Sequence, residues 1–488
     1  MGYDIICDIV FELYTSKRLN MIDVNNFKIW LSEQTSYSKK TISNTASRMS
    51  RANKILEWYN NPVYLFHLEQ EQAYKQLSSS IRSQIKKAVN LYMKFENERR
   101  DQANVRENNT ANNVLSLFAN IGVAEAYLEE LGINVVVANE LIERRARLYS
   151  KIYPNTKMIC GDITRTDIFN SIISESKAHN VDIVMATPPC QGMSTAGQQN
   201  IDDERNKLIC QVIEVIKKIN PKYAFIENVP MFLNTSIVVE GKRVLIPDLI
   251  EKELSSEYTI NTYIIDTKDY SVPQTRERAI FLMSRKDMKK EWQLPPKDDV
   301  VVTMKDAIGD LPMLDPLVSD VSEKELLCMF PKYYERKKIA ERISKWHMPP
   351  VHIKRQVVAM QHTPTGCTAF DNEYYYPKKE NGVPVKGYRN TYKRQNWDTP
   401  AYTVTMDNRK ISSQNNVHPG RLEYVNDDGE QIYSDARTLT LYEIMKIMSL
   451  PDNWNVPDKT SEAFLRRIIG EGIPPLFVKK VFANLLQE

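Results

Sequence analysis

Over the first hundred residues polar and apolar positions mix at helical spacing, and Pro62 is the only proline. Residues 1 to about 105 therefore read as helical. A polar run, NERRDQANVRENNTANN, breaks this pattern and reads as a linker. From Val114 short apolar runs alternate with helical stretches. Strands are predicted at Val114–Phe118, Asn134–Glu140, Lys157–Asp162, Val181–Thr187, Tyr223–Val229, Tyr258–Asp266 and Arg278–Ser284. A helix is predicted from about Val123 to Leu131. Strands separated by helices imply an α/β fold with a doubly wound, mostly parallel sheet, whose ligand sites lie beyond the carboxyl ends of the strands. After about Lys286 the rhythm stops. Residues 287–435 are irregular, with strand-like pieces such as AYTVTM. A helical pattern returns near Thr438, and GEGIPP separates two helical stretches in Ala463–Glu488. The expected organisation is a helical extension (1–105), a sheet domain (111–287), an inserted smaller lobe (288–435) and a return to the sheet domain (436–488).

Composition adds limits. Hydrophobic residues make up 42% and charged residues 26% of the 488 positions, an ordinary globular balance that argues against global disorder. The beginning of the chain lacks a basic leader, and no apolar run is long enough to cross a bilayer. The six cysteines are scattered without a CxxC pair, so neither a disulfide framework nor a metal site is expected, and a reduced cytoplasmic protein is. The net charge of +3 hides an asymmetry: residues 331–421 hold 17 Lys/Arg against 7 Asp/Glu, a balance of +10. His347, His352, His362 and His418 lie in the same segment. Such a lobe suits a polyanion, although a solvated surface has the same composition.

Candidate chemistry clusters at the strand ends. Gly122, in the turn after the first strand, lets backbone approach a ligand at a helix start. Glu140 ends the second strand about twenty residues later, where a doubly wound fold places a carboxylate on a ribose diol. Asp162 follows the third strand. Together they suggest an adenosine-containing cofactor, whereas each acid alone could be a helix cap. The fourth strand leads into Thr187-Pro188-Pro189-Cys190-Gln191-Gly192-Met193-Ser194. A cysteine in that Pro/Gly-shaped loop is a candidate thiolate nucleophile; Cys7, Cys160, Cys210, Cys328 and Cys367 read as structural. Glu227, beside apolar YAFI, is either a carboxyl of raised pKa or a buried structural acid. Arg276 and Arg278, two apart, are expected on one face, suiting phosphate or carboxylate recognition or a surface ion pair.

In this order the turn, the two acids, PPCQGMS, ENVP and QTRER resemble the C5-cytosine DNA methyltransferases of bacterial restriction–modification systems. RTLTLYEIMKIMSLPDNW resembles that family's ninth motif and IIGEGIPPLFVKKV its tenth. The resemblance covers about residues 112–287 and 395–488. It implies methyl transfer from S-adenosyl-L-methionine to C5 of a cytosine flipped out of a specific duplex, through a covalent bond from Cys190 to C6. Glu227 would hold or protonate N3, and Arg276 and Arg278 would steady the base or nearby backbone. The implied cofactor set is Phe118, Asn120, Ile121, Gly122, Glu140, Asp162, Ile163, Pro188, Leu208, Glu471 and Ile473. Gln191 and Ser194 would flank the nucleophile, Asn228 would support its loop, and Gln274 would face the substrate. Two positions depart from the family's pattern: Asn120 stands where it has a glycine, and Glu471 where it has an asparagine. The implied partners are double-stranded DNA and a restriction endonuclease encoded nearby, with no membrane and a place at the nucleoid.

The basic lobe sits where that family keeps its target-recognition region. Lys393, Arg394, Arg409, Lys410 and Arg421 are candidate phosphate contacts, and Thr403 and Thr405 are expected to face the DNA. Ser36–Leu56 resembles a helix-turn-helix or the helical arm domain of tyrosine recombinases, beside the plainer reading of a packing or dimerisation domain. Control of its own operon through this arm is one expectation. The same chemistry on tRNA, a silent DNA-binding regulator and a nucleotide-dependent oxidoreductase remain as alternatives.

Overall fold

Phe27, Trp30 and Leu31 project from α1 (Val24–Gln34) into an apolar core shared with α2 (Lys39–Ile55) and α3 (Ser79–Asn104). Trp58 and Phe27 both meet the Tyr92 ring edge-on, at 5.2 and 4.9 Å between centroids. Ser38 caps α2, its side chain accepting the Thr41 amide. In this computed structural model residues 22–34, 37–61, 63–104, 112–189 and 204–486 are described. The chain divides into two compact units, Met1–Arg106 and Glu107–Glu488, and the first is helical over its described part, as the pattern predicts.

In the second unit seven strands form one sheet: β1 (Asn113–Leu117), β2 (Asn134–Glu140), β3 (Lys157–Cys160), β4 (Ile183–Ala186), β5 (Tyr223–Asn228), β6 (Tyr258–Asp266) and β7 (Glu277–Arg285). Their order is β3-β2-β1-β4-β5-β7-β6. The pairs from β3 through β5 are parallel, and β7 runs antiparallel to both neighbours. The order reverses between β1 and β4, where a ligand crevice opens in such sheets.

Alternation along the strands sorts side chains to two faces. Leu115, Val184 and Ala186 pack on one face with residues of α6 (Leu208–Ile219) and α7 (Ile246–Leu254), while α4 (Glu143–Ile152) and α5 (Thr166–Ala178) flank β2 and β3. Val114, Ile183, Met185 and Phe225 point to the other face. The chain's return covers that face. After α8 (Leu441–Ile447) and α9 (Glu462–Glu471), α10 (Pro475–Leu486) lays Phe477, Val478, Val481 and Phe482 onto it. Trp292 is buried there and donates its indole N–H to the Val481 carbonyl at 3.0 Å. Among the described residues no helix is long and apolar enough to cross a membrane.

Several expectations give way. The helix predicted over Val123–Leu131 is a series of turns ending in one short 3₁₀ turn at Glu129–Leu131. Its amides bond three residues back, Leu128 to Glu125 and Leu131 to Leu128, while Glu125 is drawn inward to accept the Tyr149 hydroxyl. AYTVTM forms only a bridge from Ala401 to Gln274. Cys160, Cys328 and Cys367 are exposed rather than core fillers; Cys7 lies outside the described residues.

The histidines of the basic segment are mostly internal. His347, His352 and His418 are buried, and burial pushes His347 and His418 down to about 4 and His352 to about 3, so they are neutral near pH 7. They surround a buried ionic cluster. Arg437 contacts Glu443 at 2.8 Å and Asp435 at 2.7 Å. Thr440 and Glu443 form a capping box at the start of α8. A polyanion-facing role for these three histidines is thereby replaced by an internal one.

Candidate active site

The turn after β1 is left-handed at three positions: Phe118 (φ 59°), Asn120 (φ 53°) and Gly122 (φ 79°). Asparagine tolerates this conformation better than most residues, so the missing glycine at position 120 does not open the turn. Gly122 has a second reason to be glycine, because a Cβ there would lie 2.1 Å from the Tyr153 ring. The Tyr153 hydroxyl donates to the Gly122 carbonyl and accepts from the Trp454 indole at 3.1 Å.

Glu140 closes β2 beneath this turn. It is buried, and one carboxylate oxygen accepts the Asn120 amide at 3.0 Å while the other accepts that of Ile142 at 2.8 Å. Burial raises its pKa, opposed by the Ile142 amide and the Arg145 charge. Asn120 Oδ1 is buried with no hydrogen-bond partner. Across the turn Glu471 is held by Arg145 through two contacts, at 2.8 and 3.1 Å, and lies 3.4 Å from Asn120 Nδ2. The residue that departs from the family's pattern thus has its own counter-ion. Asp162 accepts the Thr164 amide and hydroxyl at 2.9 and 2.8 Å. Ile121, Ile163 and Ile473 are buried, and Leu208 opens α6 half-buried.

Beside β1, the end of β4 leads to Pro188, whose carbonyl accepts the Asn228 side-chain amide at 3.0 Å. This bond ties the beginning of the Cys190 loop to the end of β5. Cys190, Gln191 and Ser194 lie outside the described residues. On β5, Glu227 Oε1 lies 2.6 Å from Arg278 Nε, and both residues are 9% exposed. Glu227 is therefore not a carboxyl isolated among apolar groups. The β5–β7 ladder, which aligns Glu227 with Ile280 and Asn228 with Ala279, fixes the pair.

Arg276 and Arg278 do different work. Arg276 is buried and donates to the carbonyls of Val404 and Gly470, each at 3.0 Å. Gln274, wholly buried, accepts the Val404 amide at 2.8 Å and donates to Met448 Sδ. Gln274 and Arg276 therefore grip Val404 of the inserted segment through its amide and its carbonyl, and the expectation that Gln274 faces the substrate is corrected, because both ends of its side-chain amide are bonded inside the protein. Arg394 is corrected likewise. It is fully buried and donates to five carbonyls, those of Met360, Thr363, His418, Ser434 and Asp435, at 2.8 to 3.0 Å. No phosphate reaches it in this arrangement. Arg421 stacks on Trp397 and donates to the Gly309 carbonyl at 2.6 Å. Lys393 donates to the Tyr402 hydroxyl at 3.1 Å. Thr403 is exposed, but its hydroxyl donates to the Thr275 carbonyl at 2.7 Å. Arg409 and Lys410 are exposed.

The sequence reading missed Arg145, Tyr153 and Trp454. Arg145 sits in ERRARLYS among equivalent arginines, and only its distance from Glu471 distinguishes it. Trp454 does lie in the PDNW stretch, but its partner is 301 positions away.

A family model for C-5 cytosine-specific DNA methylases matches residues 112–487. The chain belongs to this family. It is a DNA cytosine-5 methyltransferase, and the match leaves the N-terminal helical unit outside. Among curated relatives of this methylase, the type II methyltransferase M1.HgaI of Avibacterium volantium is 43% identical over 379 residues, covering 77% of this chain and 98% of the relative. The type II methyltransferase M.DdeI of Desulfomicrobium norvegicum is 26% identical over 385 residues, covering 75% and 86%. An Escherichia coli prophage protein of solved structure, assigned as a DNA modification methyltransferase, superposes with a TM-score of 0.51 at 18% identity, covering 77% of this chain and 99% of the other. That likeness concerns the fold alone, a mostly parallel sheet flanked by helices.

Proposed function

We propose that this methylase forms a covalent bond from Cys190 to C6 of a cytosine extruded from a specific duplex, and methylates C5. A stacked base does not expose C6 to a thiolate, so extrusion precedes attack. Addition of the Cys190 sulfur at C6 makes C5 nucleophilic, and Glu227 stabilises the added electron density by holding or protonating N3. Arg278 orients Glu227. After methylation, loss of the C5 proton and expulsion of the Cys190 thiolate restore the aromatic ring. The observation that carries this reading is the Glu227–Arg278 pair at the end of β5, next to the Asn228 bond that anchors Pro188, two residues before Cys190.

S-adenosyl-L-methionine, when bound, supplies the methyl group. The residues at the switch point fit its nucleoside: a left-handed turn that lets backbone approach, a buried carboxylate suited to a ribose diol, and an unpartnered Asn120 Oδ1. Phe118, Asn120, Gly122, Glu140 and Asp162 would hold it, with Glu471 kept in place by Arg145.

The names of the relatives support protection of DNA from a partner restriction endonuclease as the biological setting. Bisulfite sequencing of DNA from cells expressing the chain tests the activity, with Cys190→Ser as control. Protected cytosines in one sequence context, lost in the variant, are expected. Equal methylation by Cys190→Ser would refute the nucleophile, and activity on tRNA but not on duplex DNA would refute the substrate.

A further inference from the structure

The N-terminal unit, outside the family match at residues 112–487, has a helix rich in cations. Between Glu33 and Glu57 the chain holds Lys39, Lys40, Arg48, Arg51 and Lys54 and no acidic residue. All five cations lie on α2, and among the described residues none forms an ion pair. The buried face of α2 is Thr45, Ala46, Met49 and Ala52. The opposite face is a stripe of Lys40, Asn44, Ser47, Arg51 and Lys54, every one exposed. The spacing of four, three, four and three residues keeps them in one line along the helix. Beside its N-terminal end, exposed Lys87 of α3 lies 5.5 Å from the Tyr37 ring, adding a further cation.

We propose that α2 is a second DNA-binding element, which seats this stripe in the major groove of duplex DNA. From Lys40 to Lys54 the helix rises about 21 Å at ~1.5 Å per residue. That length exceeds a B-form major groove of about 12 Å, which admits one α-helix. The end cations therefore reach the phosphate walls, while the short Asn44 and Ser47 let the helix backbone approach the base edges between them. Unpaired cations give up no internal partner on binding, and each phosphate neutralised releases counterions. The partner is duplex DNA rather than duplex RNA, because the deep, narrow major groove of A-form RNA does not admit a helix. The choice of partner agrees with the proposed substrate, but the contact needs neither a target cytosine nor Cys190.

The test uses the full-length chain and a 30-base-pair duplex of A·T pairs only, so binding is read without methyl transfer. The variant Lys40→Gln/Arg51→Gln/Lys54→Gln removes three charges and keeps helix-forming residues. Fluorescence anisotropy across a salt series is expected to show the slope of log affinity against log salt reduced by roughly 2 to 3, with affinity at least tenfold weaker at low salt. Helical circular dichroism should be retained, and kcat at saturating target DNA should be unchanged. Replacing Lys75 by Gln, a cation elsewhere in the same unit, should alter neither slope nor affinity. An unchanged slope in the folded triple variant would overturn the proposal, as would an equal loss on a 30-base-pair RNA duplex. Loss of cytosine methylation by the native chain, with stripe-dependent binding intact, would count against the catalytic reading alone.

Discussion

Arg278 Nε and Glu227 Oε1 stand 2.6 Å apart on adjacent antiparallel strands, each residue 9% exposed. Such a pair is held by the sheet rather than by side-chain chance, and removing one member leaves the other charge poorly solvated. Replacing Glu227 by Gln keeps the shape and removes the charge. We expect kcat for methyl transfer to duplex DNA to fall ~100-fold or more, the scale of a lost acid–base group. Incorporation of labelled methyl groups reads it, with thermal melting as the folding control. Turnover within twofold of native would remove Glu227 from the chemistry.

Arg394 should behave as a structural residue. Replacing it by Ala strips five carbonyls of their donor in a fully buried place. A loss of about 3–5 kcal/mol is expected, because each carbonyl left buried without a donor costs roughly 1–3 kcal/mol, visible as an earlier urea midpoint. Replacing exposed Arg409 and Lys410 by Gln should instead leave the midpoint alone and lower the salt dependence of DNA binding. The reverse pattern would restore Arg394 as a phosphate contact.

The Arg145–Glu471 pair predicts a cofactor effect. With Arg145→Ala, the Glu471 carboxylate loses its nearer counter-ion, keeping only Arg467 at 3.8 Å, and remains near Glu140, whose own pKa it already raises. Affinity for S-adenosylhomocysteine, measured by calorimetry, should drop about tenfold, equivalent to ~1.4 kcal/mol. Adding Glu471→Gln to that variant should recover part of the loss. No recovery would mean that Arg145 acts independently of Glu471.

Glu125 sets a pH dependence. Burial raises its pKa from 4.5 to about 7, although hydrogen bonds from Ser116 and Tyr149 oppose the shift. In the folded protein the carboxyl holds its proton to higher pH than in the unfolded chain. Its contribution is therefore fully present below about pH 4.5 and is lost as pH rises through about 7, a change of about 3 kcal/mol. Glu125→Gln should gain stability relative to native between pH 5 and pH 8. Parallel melting curves for the two proteins across that range would contradict the assignment.

The sheet was legible because its strands are apolar runs of ordinary length, and each formed within two residues of its expected limits. The acids at strand ends were legible too, since Glu140 and Glu227 terminate such runs. What escaped the sequence reading depends on distant pairing. Whether Arg394 points to solvent or inward is decided by carbonyls spread over residues 360–435, and nothing local to YKRQNW reports them. The turns at 123–131 were misread because an inward-facing Glu125 breaks a pattern that otherwise suits a helix.

One face of the central sheet owes its cover to α10, the last described helix. Phe477, Val481, Phe482 and Leu485 reach back to Val114, Met185 and Phe225, strands made hundreds of residues earlier. While the ribosome is still adding that helix, the apolar side chains it will cover stand open to water. Folding of this unit's sheet is thereby coupled to synthesis of α10, and a nascent enzyme cannot begin marking DNA before that helix has been made.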